Sequence, residues 1–347
     1  MKNWLYILYI GLMGCFVTSC QLQDDEVQLA PSKVKISFTV VLDDFGSRAS
    51  GENNEATSDL EVGSNYDNQI NIAADNSLQV FVYDLQGKLL GQVINKDVYK
   101  IKNSENTYNF NGEVEISNIQ QGSLDCRLMV YANYDKNEDE TFEQNSKYIP
   151  MWGIKTTRLN LKKGEAANLV GPIYLLRAMA KVQVKLDATI KDKFDLQNVS
   201  IDKYNVEGNV KPISSMSLDT EELDSDAVFN PNNRTPGTNL DFNKITNDEF
   251  SIYLPEYQNV GDGASPAAIS VVINDVSYKI KFGNYTSGQA TGSAYNIVRN
   301  HYYQYTITSV NTVDNVLLTS LSYKCMPWQD INNGNLNFGN ADGNVKN

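Results

Sequence analysis

Alternation of apolar and polar residues is the dominant pattern along the chain, and it predicts β-strands. The first clear case runs from Val34 to Val40, where apolar residues alternate with Lys, Ser and Thr. Successive side chains of a strand point to opposite faces, so this segment is expected to be a strand with one buried face. The apolar face consists of Val34, Ile36, Phe38 and Val40.

Two groups of further strands follow, separated by a break near Pro172, and the first group begins with a predicted hairpin. Residues 77–84 and 88–94 alternate in the same way, and Gln86-Gly87 between them is typical of a tight turn. The other predicted strands of the first group are 107–111, 114–119, 124–134 and 158–161. Those of the second group are 182–186, 196–206, 248–254, 269–273, 276–282, 302–310 and 316–323.

The two groups are similar in length and strand content, and turns rich in Pro and Asn separate their strands. This pattern predicts an all-β fold with two tandem β-sandwich domains of transthyretin-like or Greek-key type. The expected domains are 49–172 and 173–347. A signal peptide at 1–19 precedes them, followed at 20–48 by an acidic tether and the first strand.

The N-terminus predicts export. A charge-free apolar run of fourteen residues, 4–17, follows Lys2. It is shorter than the roughly 20 apolar residues of a membrane-spanning helix, so it is expected to be a signal peptide. Residues 17–20 resemble the lipobox, which implies cleavage before Cys20 and attachment of a diacylglyceryl group to its thiol. Residues 21–26 are an acidic tether, either a surface-export signal or a solvated linker.

Charge and composition narrow the class of protein. The chain has 42 acidic and 29 basic residues and a net charge of −13, which argues against a nucleic-acid partner. With 20 Tyr, 12 Phe, 22 Gly and a single His, it is typical of a β-rich extracellular protein. No CxxC, HExxH, P-loop or GxGxxG motif is present, so neither an enzyme nor a cofactor nor a metal centre is predicted.

Three further features have competing structural and functional explanations. His301 stands at the start of a tyrosine-rich strand and is expected to pack rather than to catalyse. Residues 135–139 have the carboxylate spacing of a calcium loop, but the positions that require Gly and a bidentate Glu hold other residues, which favours a solvated hairpin tip. Cys126 and Cys325 remain after export and lipidation, and they either form a disulfide or stay as buried thiols.

Six segments, taken in order, resemble the fimbrillins that build type V pili on Bacteroidales-type Gram-negative bacteria. The first is the lipobox with one strand and an Arg-containing polar loop behind it. The others are LQVFVYDLQGKLL at 78–90, IPMWG at 149–153, LRAMAKV at 176–182, RNHYY at 299–303, and Pro327-Trp328 before a last strand.

The resemblance implies a route of assembly. An Arg-specific protease would cut between Arg48 and Ala49, and the lipidated N-terminus would leave together with the first strand. A strand from another subunit would then fill the open groove. The donor is expected in the C-terminal region, with Trp328, Leu336 and Phe338, although the last residues are polar. The alternative for Arg48 is an ordinary solvated loop charge, whereas Arg127, Arg158 and Arg177 lie in predicted strands and are expected to resist cutting.

The expected function is therefore that of a structural, adhesive subunit of a cell-surface fimbrium, which begins as an outer-membrane lipoprotein precursor. Its expected partners are other fimbrial subunits, the Arg-specific protease, the outer membrane before cleavage, and a host protein or glycan. The alternative is a surface lipoprotein that stays acylated and uncut. It would act as a pilus anchor or as a binding module for a glycan or host ligand.

Overall fold

The computed structural model describes residues 33–42, 70, 77–101, 107–116, 122–134, 139–161, 166–212, 236–261, 263–286, 289–311 and 316–325. For residues 95, 284–286, 289–293, 311 and 316–325 it describes the backbone alone. The predicted lipidation, cleavage and donor residues lie outside the described part of the chain; these are Cys20, Arg48, Ala49, Trp328, Leu336 and Phe338.

Strands joined by turns make up the described residues, and no helix occurs among them, so the predicted all-β class is confirmed. In the same residues there is accordingly no helix with the length and apolarity to cross a membrane. The first eight strands are β1 Val34–Leu42, β2 Leu78–Asp84, β3 Leu89–Lys100, β4 Thr107–Val114, β5 Ser123–Ala132, β6 Thr141–Glu143, β7 Met151–Asn160 and β8 Asn168–Arg177.

The second half of the chain continues with shorter strands. They are β9 Ala180–Leu186, β10 Leu196–Ile201, β11 Tyr204–Asn205, β12 Glu207–Asn209, β13 Pro236–Gly237, β14 Leu240–Asp241, β15 Asn243–Thr246, β16 Glu249–Leu254, β17 Ala268–Ile273, β18 Val276–Lys281, β19 Gly283–Thr286, β20 Gln289–Ala294, β21 His301–Asn311 and β22 Val316–Cys325.

Seven strands of the first half form one sheet that closes on itself, in the order β1-β4-β3-β2-β5-β7-β8. A sandwich of two separate sheets was predicted here, and the closed sheet corrects that expectation. The cause is β1, which pairs antiparallel with β4 and parallel with β8 and so joins the two ends of the sheet. The enclosed core includes the fully buried Phe110, Leu128 and Val130.

The second half contains two open sheets that share a separate core. The larger sheet has the order β15-β16-β9-β21-β22, and the smaller has the order β14-β10-β17-β18. Val182 and Tyr305 from the larger sheet pack in one cluster with Val199 and Val271 from the smaller one. This half therefore has the sandwich-like arrangement of sheets that the alternating pattern predicted.

Several strands differ from the sequence prediction. Strand β7 covers 151–160 where 158–161 was expected, and the expected strand 196–206 is divided into β10 and β11.

Two further differences bear on the core and on the domain boundary. Residues 107–111 and 114–119 were expected as separate strands, but Tyr108, Phe110 and Val114 lie on one buried face of the single strand β4. Strand β8 was not expected, because Gly171 and Pro172 suggested a break. The expected domain boundary at residue 172 thus falls inside β8. The first core runs along the chain to Met179 and also includes Val210, and the second begins at Ala180. The division into domains stays a prediction.

Candidate strand-exchange groove

Strand β1 occupies a groove between β4 and β8. Its pairing with β4 runs without interruption from Val34 opposite Val114 to Val41 opposite Thr107. Adjacent strands lie about 4.8 Å apart, so β4 and β8 would be left about 10 Å apart without β1. The backbone groups of both strands that face β1 would then have no partner, which is an arrangement prone to capturing another strand.

The inward face of β1 is part of the core of the closed sheet. Val34, Ile36, Phe38, Val40 and Leu42 are each at most 4% exposed. Phe38 stacks on Phe110 of β4, with ring centroids 4.6 Å apart. At about 1.5–3 kcal/mol for each buried side chain, these five contribute roughly 7–15 kcal/mol, as an upper estimate. The groove therefore requires an occupant with the same alternation.

The outward face of β1 makes polar contacts with β4. The Ser37 hydroxyl donates to Oδ1 of Asn111 at 2.7 Å, and the Thr39 hydroxyl donates to Oδ1 of Asn109 at 3.3 Å. Lys33 lies 3.9 Å from the carboxylates of Glu113 and Glu115, but its side chain is 47% exposed. Exposed ion pairs contribute little to stability, so the two hydroxyl–amide pairs are the stronger outward contacts.

The β8 side of the groove is less regular than the β4 side. Ser37 pairs with Leu169, but Thr39 pairs with Pro172, so β8 has one extra residue between these pairs. This bulge includes Gly171 at φ +84°, a conformation that favours glycine, and Pro172 has no N–H to donate. Asn168 adds one side-chain contact, because its Nδ2 donates to the Lys35 carbonyl at 3.1 Å.

The connection that follows β1 returns to the same groove. Arg48 lies six positions after Leu42, the last residue of β1. Further along, Ile70 is buried, and its backbone N–H donates to the Tyr108 hydroxyl at 3.2 Å. Tyr108 lies opposite Val40 of β1, and burial raises its pKa although the bond from Ile70 opposes the shift. The segment that holds Arg48 is thus bounded at both ends by residues packed at the groove.

The other arginines expected to resist cutting lie in paired strands. Arg127 belongs to β5 and Arg158 to β7, while Arg177 ends β8 and is 1% exposed. The guanidinium of Arg158 is exposed and binds both carboxylate oxygens of Asp125, at 2.6 and 2.9 Å. This contact holds the pKa of Asp125 below its usual value. A protease must extract a strand to reach any of the three.

Sequence reasoning missed a buried ion pair where the two cores meet. Nη2 of Arg299 lies 2.8 Å from Oε2 of Glu256, and both side chains are at most 4% exposed. The same guanidinium donates to the carbonyls of Asn209 and Val210, at 3.0 and 2.8 Å. Arg299 belongs to the RNHYY segment, but nothing in the local pattern indicates that Glu256, 43 positions earlier, is its partner.

His301 and the tyrosines behind it pack as the sequence predicted. His301 is 2% exposed, and its Nδ1 lies 2.8 Å from the Arg299 carbonyl oxygen. Tyr303 and Tyr305 contact the ring of Phe282 edge-on, with centroids 5.9 and 5.8 Å away. Tyr302 donates to Oε1 of Gln183. These side chains are thus committed to packing and to internal hydrogen bonds.

Cys126 is a free, buried thiol whose pKa burial raises to about 12. Cys325, its partner if a disulfide forms, lies in β22, where the structure describes the backbone alone. The described residues contain no group of three or more His, Cys, Asp or Glu side chains able to hold a metal ion. Residues 135–138 of the calcium-like spacing lie outside that part of the chain.

Comparison with known proteins gives structural neighbours, whereas no protein-family model and no curated sequence matches the chain. A fimbrial assembly protein from Parabacteroides distasonis is 14% identical, with a TM-score of 0.45 over 84% of this chain and 99% of that chain. A candidate cell adhesion protein from Bacteroides uniformis is 11% identical, with a TM-score of 0.43 over 84% and 98%.

A candidate adhesin from Bacteroides thetaiotaomicron is 11% identical, with a TM-score of 0.40 over 86% of this chain and 99% of that chain. This chain is similar to fimbrial and adhesion proteins of these bacteria. The predicted resemblance to fimbrillins agrees with these neighbours.

Proposed function

We propose that the chain is a structural subunit of a cell-surface fimbrium that polymerises by exchanging β1 for a strand of another subunit. The observation that carries the proposal is the placement of β1. Strand β1 closes the first sheet and buries five apolar side chains. Its partners β4 and β8 are nevertheless distant in sequence, and Arg48 lies in the segment that connects β1 to β2. Such a strand is needed for packing but not for the continuity of the remaining chain.

The lipid on Cys20 delivers the precursor to the outer membrane, and β1 fills the groove during export. Cleavage between Arg48 and Ala49 cuts the covalent link between β1 and the rest of the subunit. The bound strand is then held by packing and hydrogen bonds alone, so another extended segment competes with it on equal terms. Once β1 has left with the lipid, the subunit is held in the fibre by its neighbours.

The C-terminal region supplies the donor strand in this proposal. Leu336-Asn337-Phe338 repeats the order of Ile36-Ser37-Phe38, with an apolar residue, a small polar residue and a phenylalanine. Leu336 and Phe338 would enter the inward slots, and the strand would approach from the side of Trp328. The residues around this segment are polar, so it would fill fewer inward slots than β1 does.

The first experiment is the substitution Arg48→Lys, with N-terminal sequencing and intact mass of protein sheared from the cell surface. Unaltered protein is expected to begin at Ala49 and to form polymers that resist SDS. The variant should keep an acylated Cys20 and stay monomeric, because an Arg-specific protease does not cut after Lys. The matched control is Arg158→Lys, an exposed arginine within a strand, which should leave the start at Ala49 unchanged.

Either of two results would overturn the proposal. One is polymers built from unaltered protein that still carries an acylated Cys20. The other is polymers of normal length from the Arg48→Lys variant. A protein that is acylated and monomeric in both strains would support the alternative of an uncut surface anchor or binding module.

A further inference from the structure

The inward alternation of β1 does not by itself set the register of an incoming strand. A shift by two residues moves each apolar side chain into the next inward slot, so four of the five slots stay filled with an apolar residue. The penalty for such a slip is a single buried side chain. A groove that admits its occupant in only one register needs further contacts that differ from one slot to the next. These contacts are called marks below.

One mark is aromatic and lies on the inward face. Phe38 stacks on Phe110, and the neighbouring slot holds Ile36 opposite Gly112. A Cβ on Gly112 would lie 2.3 Å from Cγ1 of Val93 and 3.1 Å from Cε1 of Phe110, so side chains already fill the space beside that glycine. A strand shifted by two residues toward this slot would force its phenylalanine into crowded space.

The slot on the other side of Phe38 excludes a phenylalanine as well. It holds Val40, which is 0% exposed and lies opposite Tyr108. The Tyr108 hydroxyl is fixed by the N–H of Ile70, so the ring has little freedom to withdraw. A phenylalanine in place of this valine would overpack the core. The aromatic ring of the occupant therefore fits the middle slot best.

The second mark is polar and lies on the outward face of β4. Asn109 and Asn111 both present amide oxygens, each directly opposite a hydroxyl of β1. A shift by two residues in one direction places Val41 opposite Asn109, and in the other direction it places Lys35 opposite Asn111. The side chain of Val41 has no polar hydrogen to donate, and the ammonium of Lys35 stands at the end of a side chain much longer than that of Ser37, so neither replaces the short hydroxyl donor. Both marks lie on β4, while the β8 side is bulged and includes a proline.

We propose that Phe110, Asn109 and Asn111 make β4 the strand that determines the register and selects the occupant of the groove. The inference rests on the proposed function, since it concerns the same groove. The occupant is an extended segment of another protein subunit, antiparallel to β4. Its sequence has a phenylalanine in the middle slot and, beside it, a short side chain that donates a hydrogen bond to Asn109 or Asn111. In Leu336-Asn337-Phe338 the amide of Asn337 would supply that donor opposite Asn111, whereas Gly339 would supply none opposite Asn109.

The test uses the complete secreted chain, cut after Arg48 so that the fragment with β1 stays bound. Synthetic peptides with the sequence of residues 33–42 compete with the bound fragment, and native mass spectrometry measures its displacement. A peptide with Ile36→Phe and Phe38→Ile has the same composition with the ring in the wrong slot. It should bind about a hundredfold more weakly than the unaltered peptide.

A peptide with Ser37→Ala and Thr39→Ala should bind about tenfold more weakly, because it lacks both donors. The matched control is Val41→Thr, an outward change beyond the two marks, which should alter binding by less than about twofold. In protein that has Asn111→Ala, the loss caused by Ser37→Ala in the peptide should largely disappear. A purely structural effect of Asn111 would weaken all peptides equally and would leave that loss in place.

The outcomes separate the inference from the proposed function. Equal binding of the unaltered and ring-shifted peptides, or no effect of the lost donors, would overturn the inference and leave strand exchange intact. Failure of the unaltered peptide to displace the fragment at any concentration would overturn both, because β1 would then not be exchangeable.

Discussion

The two halves of the molecule bury their cores in different ways, and the difference bears on which strand is able to leave. The first half is one closed sheet in which β1 joins β4 to β8. The second half is a pair of open sheets, and among the residues that the structure describes β22 lies at an edge and pairs with β21. Removing β22 would expose one new edge in an open sheet, whereas removing β1 exposes two and opens a closed one.

The halves also differ in how their strands are connected. In the second half, β17 and β18 pair as a hairpin, and so do β21 and β22. Two residues connect β17 to β18 and four connect β21 to β22, so the chain itself keeps the strands of each pair near one another. Strand β1 pairs with two strands that follow it at long range, and no hairpin links it to either. Its loss therefore removes five buried side chains and leaves the connections between the other strands of the closed sheet intact.

The substitution with the largest expected effect tests whether the packing of β1 stabilises the closed sheet of the first half and not the second half. Phe38→Ala should lower the free energy of unfolding by about 4 kcal/mol, through lost burial and the cavity left beside Phe110. Hydrogen exchange should show faster opening in β1, β4 and β8. The matched control is Val41→Ala on the outward face of the same strand, with a loss under about 1 kcal/mol.

If protection falls equally in β16, β17 and β18 of the Phe38→Ala variant, the two cores unfold as one. The comparison between the halves would then break down, since an opening of the groove would spread through the whole subunit. Loss of protection limited to the closed sheet would instead show that the two cores open separately.

A second prediction concerns the ion pair where the cores meet. Arg299→Met should lower the free energy of unfolding by about 3 kcal/mol, because the buried Glu256 loses the guanidinium that balances its charge and the carbonyls of Asn209 and Val210 lose that donor. Calorimetry should show the two halves melting further apart in temperature, since one of the contacts between their cores has been removed.

Its control is the double substitution Arg299→Met with Glu256→Leu. Buried ion pairs replaced by apolar residues are often neutral, so the double variant should recover most of the lost stability. A double variant as unstable as Arg299→Met would show that the stability lost in Arg299→Met comes from the carbonyl contacts rather than from the unbalanced charge of Glu256.

The sequence predicted well what is local and poorly what is not. The alternation from Val34 to Val40 correctly gave the strand and its buried face, and the pattern around Gln86-Gly87 gave the hairpin of β2 and β3. Closure of the sheet depends on pairings with β4 and β8, which no local pattern encodes. Strand β8 was missed because Gly171 and Pro172 signal a break, whereas the structure places them at a bulge beside β1.

In the candidate groove, too, the local features were predicted from the sequence and the long-range contacts were not. Its inward residues were identified from the alternation, but the partners of its outward residues were not. Asn109 and Asn111 look like ordinary polar positions of a strand until the register places them opposite Thr39 and Ser37. The partner of Arg299 was out of reach for a similar reason, since Glu256 is brought to it by the packing of the second half.

The smallest expected effect concerns pH, because the stability of the second half is expected to depend on pH and that of the groove is not. Glu249 on β16 accepts a hydrogen bond from Gln183, and burial raises its pKa, while that bond, Lys185 and Lys181 partly oppose the shift and Asp248 adds to it. Because the folded pKa lies above the unfolded one, folding favours the protonated form. The associated stability is present at low pH and is lost as pH rises through the folded pKa.

The substitution Glu249→Gln keeps an acceptor for Gln183 without the charge. Its melting temperature should therefore exceed that of the unaltered protein at pH 7, by an amount equivalent to less than about 1 kcal/mol, and the difference should vanish near pH 3. The cost of Phe38→Ala should be the same at both pH values, since the groove is held by apolar packing and neutral hydrogen bonds. A pH-dependent cost of Phe38→Ala would mean that charges such as Lys33 and Glu113 hold β1 in place, and that β1 is released by a change in pH as well as by cleavage.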